Sequence, residues 1–252
     1  MVKLLLKKSY LRKNLKEVSF RDLWNSFGIF TTMRVIGESP KIFLYKEHIN
    51  NLVKSLKIYN LYQSNIRQNI NYLVKNSLKK KIKYDHLLRV ACNKNFISIS
   101  LRKRLKPHKN FYLRLFKHKR VDPQLKNLKY GKILKELGKY DAIKNDLVLC
   151  YKNHILETGT SNLFLIKKNE VFSPYKNFYK GVTYKYFNKS IKIKNKNIFI
   201  NKMDEYSEIL LIGSGKGVTS VSAIPSINWK RKNKKMYIKL NKIYKRALRK
   251  LN

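Results

Sequence analysis

Apolar positions change their spacing repeatedly along this chain, and each change marks a predicted element. Residues Met1 to Asn25 are basic and weakly patterned. Phe27-Gly28-Ile29-Phe30-Thr31-Thr32-Met33-Arg34-Val35 then has the content of a strand, followed by a turn at Gly37 to Pro40 and a second strand over Lys41 to Tyr45. From Lys46 to Tyr59 the spacing lengthens, and Ile49, Leu52, Val53 and Leu56 fall on one face of a helix. Ile66, Ile70, Leu73 and Val74 do the same for a helix near Ser64 to Ser77. Leu87 to Cys92, Phe96 to Ser100 and Asn110 to Phe116 read as strands.

Lys117 to Pro123 is basic, aperiodic and contains a proline, which sets the expected boundary between a small N-terminal domain, 1–119, and a larger C-terminal domain, 120–252. Beyond it a helix runs through Ile133, Leu134 and Leu137, and strands are predicted at Leu147 to Tyr151, at Glu170 to Phe172 and at Glu208 to Ile212. Tyr237, Leu240, Tyr244, Leu248 and Leu251 give an amphipathic closing helix from Lys235. Strands and helices in this order predict an α+β protein of two domains.

Composition changes the picture little. At 252 residues and 43% hydrophobic, the chain can bury a sizeable core. No apolar run approaches the roughly 20 residues of a membrane-spanning helix, and Leu4-Leu5-Leu6 is too short for a signal-peptide core. A cytoplasmic, non-membrane protein is expected. The net charge of +44 would attract nucleic acid. Yet the lysines are spread along the chain with abundant Asn, Ile and Tyr, all residues with AT-rich codons, so no specific nucleic-acid partner is expected. Cys92 and Cys150 sit in apolar runs and read as buried thiols. The five histidines show no ligand spacing, and no metal site is expected.

The chemistry gathers around Leu156-Glu157-Thr158-Gly159-Thr160-Ser161-Asn162-Leu163-Phe164-Leu165. Four small residues let the backbone approach a flat ligand, with Glu157 the one acid pointed at it. Such a carboxylate can hold a proton on a ring nitrogen. This stretch resembles the cofactor strand of the class IV aminotransferases, pyridoxal-phosphate enzymes of fold type IV. Their pattern is Glu, four mostly small residues, Asn, an apolar residue and Phe. Phe30-Thr31-Thr32-Met33-Arg34-Val35 resembles a segment of the family's aminodeoxychorismate lyases, in which the Arg binds the cofactor phosphate. A guanidinium fork suits a dianionic phosphate. Gln124-Leu125-Lys126-Asn127-Leu128-Lys129-Tyr130 resembles the segment bearing the cofactor lysine. Lys126 takes that role by resemblance, with Lys129 as the neighbouring rival. Tyr130 takes the place of a tyrosine that bonds the cofactor's phenolic oxygen. Lys180-Gly181-Val182-Thr183 resembles the family's phosphate-binding turn, where backbone N–H groups of Val182 and Thr183 would donate. Gly213-Ser214-Gly215-Lys216-Gly217-Val218 lacks the spacing of a nucleotide-binding loop and resembles the second phosphate turn, with Ser214 and Gly215 as donors.

The resemblance implies a small α/β domain, a larger domain with a barrel-like sheet, a homodimer, and a small amino-group substrate. It departs from the family at Ser26-Phe27-Gly28-Ile29, where Gly-Asp-Gly is common before the Phe, and at Tyr184, where Arg is usual. Two activities follow from it. Phe-Thr-Thr and the short chain lean towards aminodeoxychorismate lyase, with Thr31 or Thr32 as a hydroxyl facing the cofactor. Tyr130 and Ser214 point to the alternative, a branched-chain amino acid aminotransferase using 2-oxoglutarate; the balance of the resemblance favours the lyase, which forms p-aminobenzoate and pyruvate in folate biosynthesis. A basic nucleic-acid-binding protein on a degenerate enzyme fold is the reading from another class.

Overall fold

Leucines and lysines near the start of the chain build a strand that their pattern hides. The computed structural model describes residues 4–79 and 83–251. In it β1 (Leu4–Leu11) pairs antiparallel with β6 (Phe96–Lys103) along its length, and β2 (Glu17–Val18) pairs with β1. The pairing is made by the main chain, and lysine stems can lie along a sheet with their ammonium heads in water. No clean alternation therefore survives in the sequence. The remaining strands are β3 (Gly28–Gly37), β4 (Lys41–Ile42) and β5 (Tyr84–Asn93), giving the order β2-β1-β6-β5-β3-β4.

Two helices cover one face of this sheet, α1 (Tyr45–Ile58) and α2 (Ile66–Ser77). Their predicted stripes are the observed ones. Ile49, Leu52, Val53 and Leu56, with Ile66, Ile70, Leu73 and Val74, pack on Ile29, Met33 and Val35 of β3 in one apolar core. The second strand is shorter than expected because Leu44 adopts φ 55 and turns the chain into α1.

The chain packs as two compact units. The first is Met1–Arg104 with Leu125–Gly131 and Leu251–Asn252; the second is Leu105–Gln124 with Lys132–Lys250. The short stretch carrying Lys126 and Tyr130 thus packs with the N-terminal sheet.

The second unit is built on one ten-stranded sheet. Its elements are β7 (Phe111–Lys117), α3 (Gly131–Leu137, entered from the first unit), β8 (Asn145–Tyr151), β9 (His154–Thr158), β10 (Asn162–Lys167) and β11 (Glu170–Pro174). Then come α4 (Val182–Asn188), β12 (Ile193–Lys196), β13 (Ile198–Phe199), β14 (Glu208–Gly213), β15 (Gly217–Ile224), β16 (Trp229–Lys230) and α5 (Lys235–Arg249). Strands run in the order β12-β11-β10-β14-β15-β7-β8-β9-β13, with β16 on β15. β9 also lies against β10 and β11, so the sheet curls back on itself. Phe111, Leu165, Ile209, Leu211 and Val221 are fully buried in its core.

Candidate functional site

In the first unit the site grows from β3. Odd positions of this strand, Ile29, Thr31, Met33 and Val35, face the helices, and even positions face the other way. Thr31 is buried, and its hydroxyl lies 2.8 Å from Nδ1 of His48 on α1. Thr32 and Arg34 share the opposite face. Arg34 pairs with Asp85 at 3.1 Å, and the same carboxylate holds Arg104 at 2.7 Å. The two guanidinium groups keep the Asp85 carboxyl below its ordinary range although partial burial opposes them.

Lys126 reaches this strand through the backbone. Its carbonyl accepts the Phe30 N–H at 2.9 Å, Asn127 bridges to Ile29, and the Leu128 N–H donates to the Gly28 carbonyl at 2.9 Å. The approach requires glycine at position 28, where a Cβ would collide with the Cys92 carbonyl and come within 2.7 Å of the Leu128 side chain. Register places Lys126 opposite Phe30, and its ammonium stands 4.6 Å from the centre of that ring. Phe30 meets Trp24 and Tyr130 edge-on, with ring centres 4.8 and 5.5 Å away. Burial, and secondarily the charge of Lys126, push the His48 imidazole down to about 3, so it is neutral at physiological pH.

In the second unit the site is centred on Glu157, at the end of β9. Its Oε1 accepts a hydrogen bond from Arg120 Nε at 2.5 Å, and both side chains are almost wholly buried. Arg120 is fixed in turn by donating Nη2–H to the Pro123 carbonyl at 2.7 Å. The small residues after Glu157 close a turn: Ser161 N–H donates to the Thr158 hydroxyl, which donates to the Ser161 carbonyl. Thr160 donates to Asp146, a fully buried carboxyl whose pKa is raised by that burial.

Asn162 clamps the approach to α4. Its amide donates to the Tyr179 carbonyl at 2.5 Å, and its oxygen accepts the Gly181 N–H at 3.0 Å. A Cβ at position 181 would lie 2.8 Å from that oxygen, so the clamp and the glycine depend on each other. Val182 and Thr183 follow in the first turn of the helix. The Thr183 hydroxyl is buried without a hydrogen-bond partner. Ser214 and Gly215 lie in the turn joining β14 and β15, and the ideal Cβ position on neighbouring Gly213 is 3.2 Å from the Ser161 hydroxyl.

The expected residues therefore fall into two groups. Thr31, Thr32, Arg34, Lys126 and Tyr130 belong to the first unit, on or beside β3. Glu157, Val182, Thr183, Ser214 and Gly215 belong to the second, at the end of β9, in the first turn of α4 and in the β14–β15 turn. Sequence reasoning passes over Arg120 because Lys117 to Pro123 has no period; the one signal is an arginine in a largely lysine-based chain. Tyr184, where the family usually has Arg, is a core residue packed on Phe164 and Phe178, its hydroxyl accepting from Asn195 at 3.1 Å.

Residues 28–224 match the family described as amino-transferase class IV. The structure is similar to a branched-chain aminotransferase from Thermoproteus uzoniensis, at 17% identity and a TM-score of 0.78, covering 96% of this chain and 95% of that one. It is also similar to a protein described as a 4-amino-4-deoxychorismate lyase from Legionella pneumophila, at 17% identity and 0.71, covering 87% and 91%. A third similar structure, at 16% identity and 0.71 over 98% and 99%, is a Brucella abortus aminotransferase bound to pyridoxal phosphate. No curated protein sequence matches the chain. The match across most of its length, on this fold, makes the chain a member of the class IV aminotransferase family, the fold-type IV pyridoxal-phosphate enzymes.

Proposed function

We propose that this enzyme is an aminotransferase that moves an amino group from an apolar, branched-chain-type amino acid to a dicarboxylic 2-oxo acid. One observation carries the reading. The Lys126 ammonium is walled by Phe30, whose ring packs with Trp24 and Tyr130, so the reactive amine opens onto apolar aromatic surface. Such a wall suits an aliphatic side chain.

The residues present fit pyridoxal phosphate. The orphaned Thr183 hydroxyl and the Gly181 turn suit a phosphate, and the buried Glu157 carboxylate suits a protonated ring nitrogen. When bound, the cofactor supplies an electron sink for charge developed on the substrate's α-carbon. Lys126 would hold it covalently and carry a proton during the reaction. Glu157 would keep the ring-nitrogen proton in place, with Arg120 fixing the carboxylate's orientation. Arg34, the Val182 and Thr183 amides, and Ser214 with Gly215 would anchor the phosphate, and Tyr130 would bond the phenolic oxygen.

The lyase reading keeps one specific support, the Thr32 hydroxyl on the face that carries Arg34, where it could position a departing enol. Absorbance separates the two. With protein saturated in pyridoxal phosphate, L-leucine or L-glutamate should bleach the cofactor band and a 2-oxo acid should restore it. If the band ignores both amino acids while 4-amino-4-deoxychorismate yields p-aminobenzoate and pyruvate, the lyase reading replaces this one.

A further inference from the structure

The solvent side of α5 carries a line of cations at helical spacing. Lys235, Lys239, Lys242, Arg246 and Arg249 follow one another at intervals of four, three, four and three residues. At 3.6 residues per turn they fall within about 80° of the helix circumference and extend for about 21 Å along its axis. All five are exposed. The opposite side holds Leu240 and Tyr244, both buried. Tyr244 packs over β15, where a Cβ on Gly217 would lie 3.0 Å from its ring. The apolar side of the helix is thus committed to the sheet, and the cationic side is left to solvent.

Arrangement, rather than the number of lysines, sets this face apart. α5 contains no Asp or Glu, so no acid on the helix lies three or four positions away to offset any of the five. α1, by contrast, carries Glu47 among its lysines. Glu208 of β14 reaches the start of α5, but its carboxylate is engaged with the backbone N–H groups of Met236 and Tyr237. Among the described residues, no ion pair or hydrogen bond joins the side chain of any of the five. Neighbouring like charges repel, and a polyanion laid along the stripe relieves every repulsion at once.

Two features narrow the polyanion. Tyr237 and Tyr244 lie on the far side of the helix, so the stripe offers no aromatic ring for the base stacking that single-strand binding uses. A membrane surface takes up the apolar side of an amphipathic helix, and here Leu240 and Tyr244 are already buried. Cations repeating every 4.5–6 Å or so along a rigid rod suit the closely spaced phosphates of a duplex.

We propose that α5 is a docking surface for the phosphate backbone of duplex nucleic acid, bound without regard to sequence. Arg246 and Arg249 supply forked contacts to phosphate oxygens, and the three lysines supply point charges. None of the five belongs to the set assigned to the cofactor, so the surface stands or falls apart from the Lys126 assignment.

Fluorescence anisotropy on protein saturated with pyridoxal phosphate tests this, with a labelled DNA duplex of about 20 base pairs as the probe. Five neutralised phosphates predict a slope of about −4.5 for log K against log salt concentration. Replacing all five cations by Gln should keep the cofactor band, flatten that slope and weaken binding about a hundredfold or more at about 0.1 M salt. A control in which Lys13, Lys54, Lys75, Lys94 and Lys189 become Gln loses the same charge from exposed positions off α5. It should bind within about threefold of wild type. The double variant Lys239→Gln with Lys242→Gln should lower the slope by about 1.8, a readout that does not depend on the fivefold variant folding. Duplexes of unrelated sequence should bind alike. Equal losses in the stripe and control variants would mean that the field of the whole molecule binds, and would overturn the proposal. So would unchanged binding in the stripe variant, a strong preference for one sequence, or displacement of the duplex by less single strand or phosphatidylserine vesicle than by duplex competitor, compared per phosphate.

Discussion

Glu157 and Arg120 show how one residue's role depends on a partner that sequence spacing does not reveal. The carboxylate lies at the end of a strand, and the small residues behind it are legible as a turn because Thr158 and Ser161 satisfy each other. Its partner comes from 37 residues earlier in the chain, in a stretch with no period. Removing one member of a buried ion pair leaves an uncompensated charge, a cost of about 3–5 kcal/mol. Arg120→Met should therefore lower stability by about that much in urea unfolding, and adding Glu157→Gln should recover part of the loss. Glu157→Gln alone should bind pyridoxal phosphate yet turn over orders of magnitude more slowly, since an amide cannot balance a ring-nitrogen charge. Near-normal turnover in that variant would remove Glu157 from the mechanism. His48 gives a second prediction at this scale. Its pKa is depressed in the folded state, so the unfolded chain binds the extra proton first as pH falls. The stability it contributes is complete above about pH 6.5 and is lost from there towards about pH 3. Below pH 6.5 the loss approaches about 1.4 kcal/mol per pH unit. Wild-type protein should lose more stability than His48→Gln between pH 7 and 5.5; parallel losses would contradict the assignment.

At the scale of elements, the helical stripes were the most legible feature. α1 and α2 bury the very residues that their spacing selects, because a core face repeats every three to four positions. β1 and β12 were not legible, being lysine-rich strands whose pairing is made by backbone atoms. The Lys126–Leu128 pairing with β3 was equally hidden, since it joins main-chain atoms about a hundred residues apart and leaves no local pattern. α5 shows a further unreadable device. Glu208, 1% exposed on β14, accepts the Met236 and Tyr237 N–H groups at 2.8 and 2.9 Å, and so caps the first turn of α5 with a charge from another element. A cap of this kind contributes about 1–2 kcal/mol. Glu208→Gln should lower the urea midpoint accordingly without changing pyridoxal-phosphate affinity; an unchanged midpoint would show that the cap does not matter.

For the whole molecule, the most conspicuous number in the sequence says least about function. A charge of +44 is spread over lysines and arginines of both units, whereas the proposed site draws on a few arginines and acids held by named partners. Arg34, Arg89 and Arg120 each meet a carboxylate in the fold, and none of these pairings follows from composition. The central claim is that one lysine among the many carries the cofactor. Lys126 is distinguished by the backbone pairing that sets it beside Phe30 of β3, a feature absent from any reading of lysine content. The direct measurement is borohydride reduction of the protein saturated with pyridoxal phosphate, followed by peptide mapping. The account predicts irreversible loss of the cofactor band and a single pyridoxyl label on Lys126. A label on Lys129, or on any other lysine, would contradict it.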